Sequence, residues 1–158
     1  MSAQQQPGAS GTVLARNPKA RHDYHILETW EAGIVLTGSE IKSIRDRKVS
    51  LKEAYGTVRN GEVWLESMHV TPYQSAGYVR DDPVRRRKLL LHRREIRRLI
   101  GAVEQKGLTL IPLDLHLSDG RAKVTLALAR GKKFHDRRQD LKARDAEREL
   151  ARALSPRR

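Results

Sequence analysis

The chain has no cysteine among its 158 residues, which excludes a disulfide framework, a thiol nucleophile and a thiolate metal site. Aromatic residues make up only 4%, with a single Phe, too few for a sheet that stacks successive bases on aromatic rings. No apolar run can span a bilayer: LTLIPLDLHL, the longest, is interrupted by Pro112, Asp114 and His116. The opening stretch MSAQQQPGASGTVLAR lacks a charged-then-apolar export pattern, so a cytoplasmic location without membrane contact is expected. Catalytic signatures are missing too. There is no GxSxG elbow, and a phosphate loop fails because Leu126 stands where its first Gly belongs and Lys133 where Ser or Thr belongs. His22 and His25 in HDYH have ligand-like spacing but no partner cluster. The neighbours His22/Asp23 and His135/Asp136 are expected to point apart, as adjacent strand residues do. Neither an enzyme, nor a metal site, nor a cofactor is expected.

What the chain has in excess is positive charge. Lys and Arg number 32 against 19 Asp and Glu, a net of +13. Such an imbalance repels itself in a compact chain and points to a polyanionic partner. Nucleic acid fits better than a membrane surface, because no basic amphipathic helix carries bulky aromatics. The charge gathers in two places. RDDPVRRRKLLLHRREIRR, Arg80 to Arg98, holds nine Arg or Lys and three acids, and Gly131 to Arg158 holds ten against five. The first cluster is rich in Arg, whose planar fork matches phosphate; the bland alternative is a solvated face. With aromatics so sparse, structured RNA read by shape and phosphates suits the composition better than a single strand. Tyr24, Trp30, Tyr55, Trp64, Tyr73 and Tyr78 read as core residues before stacking platforms.

The pattern along the chain implies one domain between two tails. Residues 1–16 are rich in Gln, Gly, Ser and Ala and read as a flexible arm, with order starting near Asn17-Pro18. RHDYHILETWEAGIVLTG reads as strand, with Gly33 as a bulge or bend, and TGSEIKSIRDRK as a short helix capped by Thr37 or Ser39 with Ile41 and Ile44 inward. Asn60-Gly61 and Asp119-Gly120 signal two β-hairpins. On the second, Leu113, Leu115 and Leu117 face Val124, Leu126 and Leu128 at period two, with Asp114, His116, Thr125 and Ala127 on the other face, and Pro112 marks an edge or bulge. HRREIRRLIGAVEQKG places Ile96, Leu99, Ile100 and Val103 at helical spacing, with Gly107 as its stop and Arg93, Arg94, Arg97 and Arg98 opposite. Residues 17–130 are thus expected to form a mainly β domain with embedded helices. Residues 131–158 read as a basic tail with a thin stripe of Leu141, Ala146, Leu150 and Leu154.

Several stretches go further. EAGIVLTGSEIKSIR, RNGEVWL, HVTPY, RKLLLH and ARGKK-HD-R, set in order between about residues 15 and 155, resemble the tmRNA-binding small protein B (SsrA-binding protein) family of bacteria. That resemblance implies an oligonucleotide-binding-type antiparallel β-barrel followed by a basic C-terminal tail. It implies a protein that binds the tRNA-like domain of tmRNA and, with the elongation factor Tu–GTP complex, delivers it to stalled ribosomes for trans-translation. The resemblance assigns RNA binding to Asn17, His22, Tyr24, Glu31, Glu40, Lys42 and Tyr55, with phosphate contacts from Arg45, Arg85, Arg86, Arg87 and Lys88. Glu31 and Glu40 carry two readings, acceptors from RNA amino and hydroxyl groups or braces of the barrel. In the tail, Gly131, Lys132, Lys133, His135, Asp136, Arg137 and Arg138 are implied to enter the empty messenger channel and decoding centre of small-subunit RNA. Arg137 stands where family members often carry Lys. On this reading the protein is a monomer, and its tail is disordered when free and helical on the ribosome. A ribosomal structural protein would share the composition, and a nuclease would need an acid or histidine cluster the sequence does not display.

Overall fold

The structure is a computed structural model that describes residues 11–73, 82–105, 107–132 and 134–154, the side chains of 134–140 and 154 excepted. Tyr78, one of the aromatics singled out above, and Lys133 therefore lie outside the described residues. In chain order the elements are β1 (Thr12–Arg16), α1 (Ala20–Asp23), β2 (Tyr24–Ile34), α2 (Gly38–Arg45), β3 (Val49–Ser50), β4 (Tyr55–Arg59) and β5 (Glu62–Glu66). They continue with β6 (His69–Val70), β7 (Arg87–Leu90), α3 (Arg93–Val103), β8 (Leu108–Ser118), β9 (Arg121–Gly131) and α4 (Phe134–Leu154). The main sheet runs β1-β8-β4-β5-β7-β2-β9, and β9 pairs back onto β8. Every pairing in it is antiparallel, so the circuit closes into a barrel, the architecture the sequence implied.

Both hairpin turns form where the sequence placed them. Asn60 and Gly61 take φ of 51° and 73°, Asp119 and Gly120 take 52° and 74°, the paired left-handed conformations of a type I′ turn. They set the ladders Arg59↔Glu62 and Ser118↔Arg121. The register of β8 slips between Pro112 and Asp114, the irregularity that Pro112 foretold. In β2 the slip falls between Ile26 and Glu28, while Gly33 stays in register with Leu90 on one side and Lys123 on the other. Gly33 is therefore not the bend expected of it. Its bare Cα makes room for Leu90 instead, whose Cβ would lie 3.3 Å from an added Cβ.

Inside the barrel, Trp30, Ala32, Val63, Leu65, Leu89, Leu110, Leu115, Val124, Leu126 and Leu128 form the core. Helix α3 closes it with Leu99, fully buried, while Ile96, Ala102 and Val103 pack around it. Glu95 Oε1 accepts from the His92 N–H (3.0 Å) at the helix start. Helix α2 begins with a capping box: Thr37 Oγ1 accepts from the Glu40 N–H and Glu40 Oε1 from the Thr37 N–H. Ile44 enters the core, whereas Ile41, expected beside it, is 37% exposed.

Three expectations need correction. Strand β9 is buried on both faces from Val124 to Ala129, because α1 and the outer face of β8 cover Ala127 and Ala129 through Ala20 and Ile111. Order starts before Asn17: β1 pairs with β8 from Thr12↔Leu117 to Arg16↔Asp114, with Leu14 in the core. Gly11 ends this strand at φ +117°, and an added Cβ would meet the Leu117 carbonyl oxygen at 1.7 Å, so only glycine fits there. The body also extends past residue 130. Gly131 pairs with Tyr24, and the Lys132 N–H donates to the Asp23 carbonyl at 2.7 Å. Beyond it Phe134–Leu154 form helix α4. No Gly or Pro interrupts it, and Asp145/Arg148 and Glu149/Arg152 sit at i,i+3. Its stripe residues Leu141 and Leu150 are 47% and 61% exposed.

Candidate nucleic-acid interface

The residues singled out in the sequence separate into distinct places. A concavity of about 690 Å³ lies where the far end of β2, helix α2, β7, the start of α3 and the β8–β9 turn converge. Its apolar floor includes Ile34, Val35, Leu90 and Leu91, and its polar lining is Glu31, Arg45, His92, Glu95, Arg121 and Lys123. Val35 and Leu90 are 45% and 52% exposed, unusual for large apolar side chains that share one cleft. Of the sequence-assigned residues, Glu31 and Arg45 meet here. Lys123 Nζ donates to Glu31 Oε1 (2.8 Å), and His116 Nε2 lies 3.2 Å from Glu31 Oε2. The Lys123 hydrogen bond depresses the Glu31 carboxyl more than burial raises it, and His116 adds to the depression. Glu31 is thus ionised at neutral pH and held by cations. Arg45 and Arg121 are exposed and reach no carboxylate among the described residues.

A second, smaller cleft of about 350 Å³ lies at the near end of β2. Asn17, Tyr24 and Tyr55 line it together with Lys19, Asp23, Lys52 and Glu53. Asn17 is fixed from both sides: its N–H donates to the Leu113 carbonyl and its Nδ2 to the Pro112 carbonyl (3.0 Å), so the β8 bulge holds it. Tyr55 is 42% exposed, a ring presented to solvent. His22 borders the site through Asp23, with Nδ1 2.7 Å from Oδ1. These neighbours do face each other, against the expectation, because they sit on the turn α1 and not on a strand. Lys132 Nζ donates to the Arg21 carbonyl at 2.9 Å, so the root of the tail is anchored beside this second cleft.

The remaining assignments divide sharply. Glu40 is 2% exposed and Arg87 is fully buried. Arg87 Nε donates to Glu40 Oε2 (2.6 Å), and its Nη1 donates to the Met68 carbonyl (2.7 Å). Arg85 also binds Glu40. Burial raises the Glu40 carboxyl, but hydrogen bonds from Arg85, the Thr37 N–H and Arg87 outweigh it and hold it below its ordinary value. Glu40 and Arg87 therefore brace α2 against β7, buried from solvent, which is the second of the two readings given for Glu40. Arg86 donates to Glu66 (2.9 Å) and Lys88 to Glu62 (3.0 Å); the Arg86 guanidinium also sits 6.0 Å from the Trp64 ring. Lys42 stands apart from both clefts, 5.4 Å from the Tyr73 ring. Among the described residues of the Arg80–Arg98 cluster, five of eight cations are thus paired with carboxylates. Its unspent charge is on α3, where Arg93, Arg94 and Arg97 are exposed without a carboxylate among the described residues, while Arg98 is spent on Glu28 (2.7 Å). In the tail Gly131 and Lys132 belong to the body, and His135, Asp136, Arg137 and Arg138 lie on α4, their side chains outside the described residues.

Sequence reasoning missed His92, Arg121 and Lys123. The signal was present: period two puts Arg121, Lys123 and Thr125 on one face of β9. The hairpin return to a strand containing Glu31 was not visible without the barrel.

A family model described as SmpB protein matches residues 14–156. An SsrA-binding protein of Thermosynechococcus vestitus is 56% identical over 95% of this chain and 99% of its own length. That of Bacillus subtilis is 54% identical over 94% and 95%. A solved chain described as tmRNA-SmpB on a journey to the center of the bacterial ribosome aligns with a TM-score of 0.64 and 48% identity, covering 80% of this chain and 92% of that one. With the barrel, its hairpins and the matched span in agreement, the chain belongs to the SmpB protein family.

Proposed function

We propose that this protein binds tmRNA and acts in trans-translation on the bacterial ribosome, with the large cleft as its tmRNA site. The observation that carries the site is the cleft itself: an exposed apolar floor of Val35 and Leu90 inside a rim that includes Arg45, Arg121 and Lys123. Apolar surface suits the faces of unstacked bases, and the arginines suit the phosphates beside them. The tRNA-like domain is the part of tmRNA bound, and Arg93, Arg94 and Arg97 extend the phosphate-binding surface along α3. The second cleft, with Tyr24 and Tyr55, and the tail rooted beside it face ribosomal RNA. There Lys133, with the α4 residues His135, Asp136, Arg137 and Arg138, enters the vacant messenger channel. The protein works as a monomer and travels with elongation factor Tu–GTP. The last two statements rest on the family resemblance alone.

The test is filter binding to the tRNA-like domain of tmRNA and to an ordinary tRNA across a salt series. The full chain is expected to keep its preference for the tmRNA domain at high salt, and Arg45→Gln/Arg121→Gln to lose it. Equal decline on both RNAs would mean that the +13 charge alone drives binding.

A further inference from the structure

His116 is fully buried, yet both of its ring nitrogens face carboxylates. Nδ1 is 2.7 Å from Asp114 Oδ1, and Nε2 is 3.2 Å from Glu31 Oε2. Asp114 Oδ1 also accepts from Thr125 Oγ1 at 2.9 Å, the acceptor role of an ionised carboxylate. Glu31 Oε1 is taken by Lys123 at 2.8 Å. An ionised carboxylate only accepts, and neutral imidazole has one N–H and one bare lone pair. A neutral ring would press that lone pair against a carboxylate oxygen inside the barrel wall, at the full cost of a buried unmade hydrogen bond. Only the doubly protonated ring satisfies both contacts.

We propose that His116 is held as an imidazolium between Asp114 and Glu31, and that this cation positions Glu31 and neutralises the wall of the RNA cleft. The charges can be followed group by group. The ring faces Asp114 on its own strand β8, Glu31 on β2, and Lys123 and Thr125 on β9. With the imidazolium in place, two cations balance two carboxylates. Without it, the same set carries one net negative charge behind a cleft meant for a polyanion, and Glu31 is tethered by Lys123 alone. His116 acts through Glu31 and Lys123 and does not line the cleft itself. It is a positioning residue, and its role in RNA binding rests on the cleft being the tmRNA site.

The first measurement is independent of RNA. Long-range ¹H–¹⁵N spectra of the ¹⁵N-histidine-labelled full chain are expected to show both His116 nitrogens protonated at neutral pH; a ring with one proton there overturns the proposal. The second is binding to the tRNA-like domain of tmRNA. His116→Gln is expected to weaken binding about tenfold at low salt and less at high salt. Asp114→Asn/His116→Gln restores the charge balance and is expected to recover most of that loss. A merely structural histidine would give no recovery on removing a second polar partner. If His116→Gln folds by circular dichroism and binds as the parent does, while Arg45→Gln/Arg121→Gln loses binding, the positioning role is wrong and the cleft reading stands. If Arg45→Gln/Arg121→Gln binds unchanged, the cleft reading fails and the role of His116 in RNA binding fails with it.

Discussion

Glu40 sits at 2% exposure under two arginines, and its carboxyl is held below its ordinary value of 4.5. A carboxyl depressed in the folded state stabilises the fold above its unfolded pKa, and that stability drains away as pH falls through the folded pKa. The wild type is therefore expected to lose more stability between about pH 5 and pH 3 than Glu40→Gln, measured by urea midpoints across that range. A Gln variant with the same acid slope would deny Glu40 its part in acid unfolding. Removing the other partner leaves a buried carboxylate short of a donor, and Arg87→Met is expected to cost about 3–5 kcal/mol. Gly56 offers a test of the barrel wall, since a Cβ there would stand 2.8 Å from Leu110 Cβ. Gly56→Ala is expected to destabilise by about 1–3 kcal/mol through overpacking, read by the same titrations. Of these roles only bracing by Glu40 was legible in the sequence, and only as one of two readings. Glu40 and Arg87 are 47 positions apart, and nothing in SEIK or RRRK tells a buried charge from a solvated one. What the sequence did carry was local: Asn-Gly and Asp-Gly at the turns, Thr37 before Glu40 at the cap, and Pro112 at the bulge.

Among elements, β7 and α3 draw on one basic cluster and use it oppositely. The four cations Arg85 to Lys88 are matched by Glu40, Glu66 and Glu62, so this part of the cluster is structural. The α3 arginines Arg93, Arg94 and Arg97 reach no carboxylate among the described residues. Replacing these three by Gln is expected to flatten the salt dependence of tmRNA binding by about 0.7–0.9 in slope for each phosphate left unneutralised. Arg86→Gln/Lys88→Gln is expected to leave the slope unchanged. If the β7 pair flattens it and the α3 set does not, the division is reversed. The periodicity of α3 made its buried and exposed faces readable in advance, because Ile96, Leu99 and Val103 recur at the helical period. The pairing of β7 was not readable, because its acidic partners arrive on β5 and α2, elements that the chain folds back from elsewhere.

At the scale of the whole molecule, β2 joins two working ends. Tyr24 lines one cleft and Glu31 the other, separated by about 23 Å of strand at ~3.3 Å per residue. One end offers an apolar cleft rimmed with arginine; the other offers tyrosines, Asn17 and the root of the tail. A partner at each end, or one assembly reaching both, follows from that separation, and the two charge clusters in the sequence pointed the same way. The tail itself begins later than composition suggests. Gly131 is the last β9 residue and Lys132 is bonded through both its N–H and its Nζ to the backbone around α1, so these residues close the barrel. Deleting residues 134–158 is therefore expected to leave the urea midpoint and tmRNA affinity close to those of the full chain. Peptide tagging in a reconstituted translation reaction on a message without a stop codon is expected to vanish. Deleting from residue 131 onward should also lower stability, because it strips the Tyr24 pairing and both Lys132 hydrogen bonds. Tagging that survives the 134–158 deletion would remove the tail from the mechanism. A loss of tmRNA affinity in that variant would mean instead that α4 belongs to the tmRNA surface, and that the two ends of β2 do not serve separate partners.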